Sequence, residues 1–90
     1  MILYMSIYVG KYKGYPIFVS NLKNKKYYAL INNRKVHFGD SRYQHYTDKM
    51  GYWEHLNHYD KERRRRYKIR HEKDRHNKGS AGWFADQILW

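Results

Sequence analysis

Hydrophobic and polar positions alternate at the start of the chain. One face of an extended segment would carry the apolar residues Leu3, Met5, Ile7 and Val9. The opposite face would carry Ile2, Tyr4, Ser6 and Tyr8. This period of two residues predicts a first β-strand. A second apolar stretch covers residues 15–22, and Gly10 and Gly14 predict a turn between the two stretches.

Two further apolar segments follow, at residues 27–31 and 35–38. Asn24, which stands among lysines, predicts a turn before the first of them, and Asn32-Asn33 separates the two. Asparagine tolerates the left-handed backbone conformation that tight hairpin turns require. The N-terminal half is therefore predicted to form a small antiparallel sheet.

The second half of the chain has the pattern of helices. The clearest helix is predicted over about residues 60–77. Asp60 is a suitable N-cap for it, and Asn77 and Gly79 stand where a helix would end. Residues 43–50, which precede this helix, are predicted to be either a short helical segment or an irregular one.

A last helix is predicted from a cap at Ser80 to Trp90. It would present one broad apolar face, formed by Trp83, Phe84, Ile88 and Leu89. Such a face is expected to pack on the sheet and to complete the core. The predicted fold class is therefore α+β. We expect residues 1–90 to form a single domain, strand-rich over 1–39 and helix-rich over 40–90.

Charge indicates the kind of partner. The net charge is +11, and residues 1–39 hold seven Lys or Arg and no acid. A surface of one sign attracts polyanions, which makes nucleic acid, an anionic membrane face or an acidic protein surface the natural partners. No apolar run approaches the roughly 20 residues that a membrane-spanning helix needs. The apolar start lacks a basic region and a cleavage site, so we expect no signal peptide and no secretion.

The predicted basic helix contains the first group of candidate binding residues. Arg63, Arg66 and Arg70 recur at steps of three and four residues, which places them on one side of a helix with Tyr67 beside them. Arginine suits phosphate and carboxylate because its planar fork donates two parallel hydrogen bonds. The alternative is a solvated helix held by the i,i+4 pairs Asp60–Arg64, Glu62–Arg66, Lys68–Glu72 and Arg70–Asp74.

A second basic cluster lies in the strand region and consists of Lys23, Lys25, Lys26, Arg34 and Lys35. Tyr27 and Tyr28 stand between these residues. Basic residues beside exposed rings are typical of proteins that bind single-stranded nucleic acid, whose bases stack on the rings. The alternative, which we favour, is that the tyrosines pack in the sheet while the lysines protect its edges from aggregation.

The six histidines and the absence of cysteine bear on metal binding and catalysis. His55 and His58 are three residues apart, but no cysteine is available to complete a zinc site with them. His71 and His76 are five residues apart, whereas the zinc-protease pattern needs four. No serine or threonine accompanies a histidine at an informative spacing. We expect no catalytic residue, no metal, no cofactor and no small-molecule substrate.

Several short motifs between residues 35 and 90 carry a resemblance to a known family. They are Lys35-Val36-His37-Phe38-Gly39, Gln44 with Tyr46-Thr47-Asp48, His58-Tyr59-Asp60-Lys61-Glu62-Arg63-Arg64 with Tyr67 and Arg70-His71, Gly82-Trp83-Phe84, and Leu89-Trp90. In these motifs the chain resembles a family of short basic proteins of giant viruses, the nucleocytoplasmic large DNA viruses. The resemblance implies a viral origin and, more loosely, a place in the virion, and the family is uncharacterised, so it provides no activity to transfer to this chain.

Two functions are compatible with these observations. The first is a non-enzymatic virion structural protein, of the minor capsid or internal type, that bridges other virion proteins through a basic and aromatic surface. The second is a sequence-independent nucleic-acid-binding protein that contacts phosphates rather than base edges. In either case the expected location is the virion, and the host cytoplasm or nucleus during infection.

Overall fold

The structure, a computed structural model, describes residues 6–90. Its elements are β1 (Tyr8–Tyr12), β2 (Tyr15–Val19), β3 (Lys25–Ile31), β4 (Arg34–Asp40), a single turn of 3₁₀-helix (Glu54–Leu56), α1 (Lys61–Arg70) and α2 (Ala81–Leu89). An antiparallel sheet followed by helices confirms the predicted α+β class. The part of the predicted first strand at residues 1–5 lies outside the described residues. Neither α1 nor α2 is long and apolar enough to cross a membrane, as judged over residues 6–90.

The four strands follow one another in the sheet in the order β1-β2-β3-β4, each antiparallel to the next. Asn32 and Asn33 join β3 to β4 with φ angles of 48° and 67°. Asn24 also has a positive φ, of 66°, in the turn before β3. The turns predicted at these asparagines are confirmed, because asparagine adopts this left-handed conformation at little cost.

Gly10 does not belong to the first turn, so that prediction is wrong. The turn consists of Lys13 and Gly14, whereas Gly10 lies inside β1, where the register with β2 shifts between Tyr8 and Gly10. Its φ of 127° is strained for any residue with a side chain. Glycine therefore marks a bulge within the strand here.

The hydrophobic core lies between one face of the sheet and α2. The sheet contributes the fully or almost fully buried residues Ile17, Tyr27, Ala29 and Phe38. The helix contributes Trp83, Phe84, Ile88 and Leu89, all buried. These four residues are the predicted apolar face, and its packing on the sheet is confirmed. Gly39 permits this close approach, because a Cβ there would lie 2.8 Å from Leu89 Cδ1.

α1 is shorter than predicted. It begins after Asp60, whose carboxylate accepts hydrogen bonds from the backbone N–H groups of Glu62 and Arg63, and it ends at Arg70. Residues 71–79 form turns instead, so Asn77 and Gly79 do not cap this helix. The segment contains no apolar residue. A helix there would have no face to bury, and most helix stability in proteins comes from such packing.

The predicted ion pairs along the basic helix are also wrong. None of the four i,i+4 pairs comes within ion-pair distance among the described residues. Glu62 instead pairs with Arg65, and Glu72 pairs with Arg75, each three residues further on.

A buried polar network holds the irregular connection between β4 and α1. Asp48 accepts hydrogen bonds from the Tyr27 hydroxyl and from the backbone N–H of Trp53. Asn57 Oδ1 accepts from the backbone N–H of Asp48 and lies 2.6 Å from His45 Nε2. These contacts satisfy polar groups that would otherwise be costly to bury. They fix residues 41–60 against the sheet, and the turn of 3₁₀-helix at Glu54–Leu56 is the one helix described in this segment.

Candidate anion-binding groove

A groove of about 620 Å³ runs between β4 and α1. Its β4 wall is formed by residues 37–40, with Lys25 of the adjacent strand. The α1 wall carries Arg63, Tyr67 and Arg70. The floor is the surface of α2, where the side chains are small or apolar, at Ala81, Gly82, Ala85 and Leu89. We refer to this feature as the basic groove.

Tyr67 fixes the α1 wall in place. Its ring is almost fully buried and stacks on Trp90, with ring centroids 4.2 Å apart and an angle of 3° between the planes. His71 stacks on it as well, with centroids 4.2 Å apart. Burial and the nearby carboxylates Asp86 and Asp74 raise the pKa of the Tyr67 hydroxyl to about 12. Tyr67 is therefore a neutral anchor of α1.

The salt bridges of Asp86 hold α1 and the turns after it against α2. This aspartate of α2 is buried and lies 2.8 Å from Lys68 Nζ. A second cation, Arg75, lies 3.8 Å from the same carboxylate. The charge of Asp86 is thus paired with Lys68 and Arg75, which lie outside the basic groove. The arginines that face the groove receive no counter-charge from α2.

The cations of the groove are largely free of acidic partners. Arg63 donates a hydrogen bond of 3.0 Å to Gln44 Oε1, which leaves its charge uncompensated. Over residues 6–90, neither Lys25 nor Arg70 takes part in a side-chain hydrogen bond or an ion pair. Arg66 lies beside the groove, because it lines a smaller cavity of about 220 Å³ together with Arg63, Arg70 and Trp90. The predicted stripe of Arg63, Arg66 and Arg70 thus faces a common space.

The acids of the groove are Asp40 and Asp74. Asp40 is paired with Arg42 at 2.8 Å, and hydrogen bonds from Arg42 lower the pKa of this carboxyl to about 2. Asp74 lies 3.4 Å from His71 Nδ1. With Asp40 neutralised by Arg42, the groove retains an excess of positive charge. Anionic ligands are the chemical class that such a site attracts.

Lys26 differs from the other predicted binding residues. It is 2% exposed, and its ammonium donates a hydrogen bond to the Tyr43 carbonyl oxygen. Burial lowers the pKa of Lys26 to about 8. The prediction that Lys26 presents a surface charge is therefore wrong. Both faces of β3 are covered at residues 26–29, and the contact of Lys26 with Tyr43 supports the chain that follows β4.

The structure places three other predicted cations outside the groove. Lys23 is exposed in the turn before β3, and Arg34 is exposed as the first residue of β4. Lys35 lies on the other face of the sheet, with its ammonium 4.9 Å from the ring centroid of Tyr28. The groove thus unites Lys25 and the buried Lys26 with Arg63, Tyr67 and Arg70, whereas Lys23, Arg34 and Lys35 lie outside it.

The tyrosines of β3 are not available for stacking on bases. Tyr27 is fully buried, and Tyr28 is 4% exposed. Tyr28 stacks on Phe18 with ring centroids 5.0 Å apart and meets His37 edge-on. Both rings therefore pack within the sheet, as the favoured interpretation expected.

Two features of the site were missed at the sequence level. Gln44 holds Arg63 at the groove, and nothing in the local pattern distinguishes it from any exposed polar residue. The small floor residues Ala81, Gly82 and Ala85 did leave a signal, because they recur on one side of α2 at helical spacing. Small side chains on a helix face permit a close approach or leave a trough, and both occur in this molecule. Asp74 packs closely on Gly82, where a Cβ would lie 2.8 Å from Asp74 Oδ2, and Ala81 and Ala85 line a trough at the floor of the groove.

One serine–histidine contact was also missed. Ser20, the residue after β2, has its Oγ 2.8 Å from Nδ1 of His37 in β4. Ser20 Oγ also accepts a hydrogen bond from the backbone N–H of Leu22. Among the described residues no carboxylate hydrogen-bonds to His37 Nε2, so the third member that orients a catalytic base is not in contact. This contact therefore joins strands and carries no catalytic assignment.

What the groove can do chemically follows from its own residues. It can hold a carboxylate or a phosphate between two basic walls, above an apolar floor. Within residues 6–90 no three side chains of His, Asp or Glu come together as a metal site would require.

No protein-family model, no curated protein and no solved structure matches this chain.

Proposed function

We propose that this protein is a non-enzymatic structural component of a virion, and that it bridges other virion proteins by holding an acidic partner in the basic groove. The proposal rests on one observation: Lys25 and Arg70, from different elements, line the same groove. Neither residue forms an ion pair within the described residues. Charges held on two rigid walls need little reorganisation to bind an anion. The virion setting rests on the family resemblance of residues 35–90.

A protein partner suits the groove better than a nucleic acid does. The floor is apolar, and the recess is shaped for a segment that inserts between two walls. Tyr67 is already stacked on both sides, by Trp90 and His71, so it offers no face to a base. Stacking on free aromatic faces supplies much of the affinity in single-strand binding. Carboxylates on a protein segment use the arginines without requiring free rings.

A sequence-independent nucleic-acid binder is the second candidate. It is supported by a separate basic cluster on the far side of α1, formed by Lys61, Arg64, Arg65 and Lys68. Together with a net charge of +11, this cluster gives a broad electrostatic surface. Such a surface contacts phosphates from many directions and shows a steep dependence on salt, because counterions are released on binding.

The test compares matched double variants. Lys25/Arg70→Gln removes one cation from each wall of the groove. Lys23/Lys73→Gln removes the same charge from nearby exposed positions outside the groove. Each variant is scored for incorporation into assembled particles and for binding to bulk duplex DNA at low and moderate salt. We expect at least a tenfold loss of incorporation for the groove variant only, and an equal, modest weakening of DNA binding in both.

The opposite pattern would contradict the proposal. If both variants lose incorporation equally, and in proportion to DNA binding, total charge matters and the groove does not. The nucleic-acid candidate then replaces the first. Circular dichroism of both variants checks that neither substitution unfolds the domain. All four side chains are exposed and make no ion pair with a described residue, so the fold should persist.

A further inference from the structure

One edge of the sheet is exposed. β4 is the last strand in the sheet order, so only one side of it is paired. Asn32-Asn33 closes a tight turn in which Ile31 and Arg34 face each other, so the backbone groups of Arg34 point towards β3. In an antiparallel pair these directions alternate along the strand. The N–H and C=O groups of Lys35 and His37 must therefore point away from the sheet.

Nothing in the described part of the chain occupies these backbone groups. No hydrogen bond joins the main-chain N–H or C=O of Lys35 or His37 to another described residue outside the strand ladder. An edge of this kind is a template for a further strand. Proteins often protect such an edge with a covering loop or helix. Here α2 packs under the face of β4 and leaves its side open.

The basic groove begins at His37 on this same edge and continues to Asp40, whereas Lys35 lies outside it. Residues 37–40 of β4 form one of its walls, and the small residues Ala81 and Ala85 lie at its floor, beside Asp74, which packs on Gly82. At the Asp40 end, the hydrogen bond between Arg63 and Gln44 joins α1 to the chain that follows β4. An added strand would lie about 4.8 Å from β4. The basic groove offers space for such a strand beside residues 37–40.

We infer that the acidic partner binds as an extended segment that adds a fifth strand to the sheet, along the outer edge of β4. This inference rests on the proposed function and specifies the form of its ligand. Main-chain hydrogen bonds to Lys35 and His37 supply a large part of the affinity. Alternate side chains of the segment point into the trough, where carboxylates meet Arg63 and Arg70. This division between backbone affinity and side-chain specificity is the usual one for strand addition.

Charge selects the partner of this edge. A second copy of the same chain, paired through β4, would bring Lys35 and the groove arginines towards identical residues. With +11 on each copy, that arrangement is strongly repelled. An acidic segment has the opposite charge and meets the same groups favourably. The occupant that fits is therefore a heterologous, acidic, extended segment.

The experiment uses an eight-residue peptide of alternating Glu and Val with blocked ends, and two derivatives of it. One derivative carries N-methyl groups on every Glu, and the other carries them on every Val. Successive residues of a strand turn their N–H groups to opposite sides, so only one of the two sets faces β4. We expect the parent peptide and one derivative to bind the full chain, and the other derivative to bind at least tenfold more weakly. In the amide NMR spectrum, Lys35 and His37 should shift on binding.

Other outcomes separate the failure of this inference from the failure of the proposed function. Suppose that both derivatives bind as tightly as the parent, and that Lys25/Arg70→Gln weakens all three. Strand addition is then overturned, while an acid-binding groove stands. If no peptide binds, strand addition is overturned as well, and the particle assay decides the function separately. Tighter binding of a single-stranded oligonucleotide than of the parent peptide, with shifts at the same amides, would also overturn the inference.

Discussion

The two helices have nearly the same length and opposite characters. α2 has nine residues, six of which are buried, whereas α1 has ten residues and buries only Tyr67. The core cluster includes residues of α2 and none of α1. α2 closes the sheet, and α1 lies against α2 through a stacked ring and a few polar contacts. In this small domain α2 therefore contributes most of the helical core packing, whereas α1 carries the charges available for binding.

One aromatic and two polar contacts hold α1 in place, although the helix contributes no residue to the core cluster. Asp60 caps its start, Tyr67 stacks on Trp90, and Lys68 pairs with the buried Asp86. The last two contacts join α1 to residues far away in the sequence, and none of the three involves Arg63, Arg66 or Arg70. The surface of α1 that faces the groove is therefore free to carry charge, because the fold does not depend on it.

The largest expected effect on the free energy of unfolding comes from a substitution in α2, the helix that closes the core. Trp83 is buried against Tyr12, Tyr15 and Phe84. Trp83→Ala should cost about 3–5 kcal/mol, because it removes a large buried ring and leaves a cavity. That is comparable with the whole stability of a small domain, which is about 5 kcal/mol at the low end. We expect little folded protein in chemical denaturation or near-UV circular dichroism.

Ile69→Ala in α1 is the matched control. Ile69 is 61% exposed, so its truncation should change the unfolding free energy by less than about 0.5 kcal/mol. If Trp83→Ala melts like the parent, α2 does not close the core. A large loss for Ile69→Ala would instead mean that α1 contributes to the core.

Lowering the pH should destabilise the fold through the segment between β4 and α1. His45 is fully buried there, and burial lowers its pKa to about 4. The unfolded chain takes up a proton near the ordinary pKa of histidine, so it binds more protons than the folded chain between that pH and pH 4. Stability is therefore complete above about pH 6.5 and falls as the pH drops, by roughly 3 kcal/mol at pH 4. His37 and His58 also have lowered pKa values and act in the same direction.

Chemical denaturation at several pH values between 7 and 4 measures this slope. In His45→Gln the slope should be much shallower, whatever its stability at neutral pH. His55→Gln, which changes an exposed histidine of the same connection, is the matched control for the substitution itself. An unchanged slope in the His45 variant would mean that this histidine does not titrate in the expected range.

Local patterns were sufficient for the sheet and for α2. Alternating residues and asparagine turns specified β2, β3 and β4, and the face of Trp83, Phe84, Ile88 and Leu89 specified what covers them. These features depend on neighbours in sequence, so they can be read from the sequence. The bulge at Gly10 was misread because a glycine in a strand and a glycine in a turn look alike without the pairing register.

The groove and the connection to α1 depend on contacts between distant residues. Lys25 and Arg70 are 45 positions apart in the sequence, and only the packing of α1 beside α2 brings them to one space. Asp48 has no local pattern that marks it as buried, since its partner Tyr27 comes from the core of the sheet. The basic residues were predicted as candidates, but local spacing could not distinguish Lys25 in the groove from the buried Lys26.

The smallest expected effects come from substitutions at the two helix caps. They test directly whether α1 and α2 contribute differently to global stability. Asp60 caps α1, and Ser80 accepts a hydrogen bond from the backbone N–H of Trp83 in α2. Loss of such a cap typically costs about 1 kcal/mol. In Ser80→Ala we expect that cost to appear in global unfolding, because α2 cannot fray without disturbing the core.

Asp60→Ala should behave differently, because the first turn of α1 can open while the sheet and α2 stay packed. The cost should therefore appear mainly as faster amide hydrogen exchange in the first turn of α1, with a smaller change in global stability. This opening should also release Arg63 and weaken binding of the Glu–Val peptide to the basic groove. Equal effects of both variants on global unfolding would show that the two helices unfold as one unit, and that the division of roles between them is wrong.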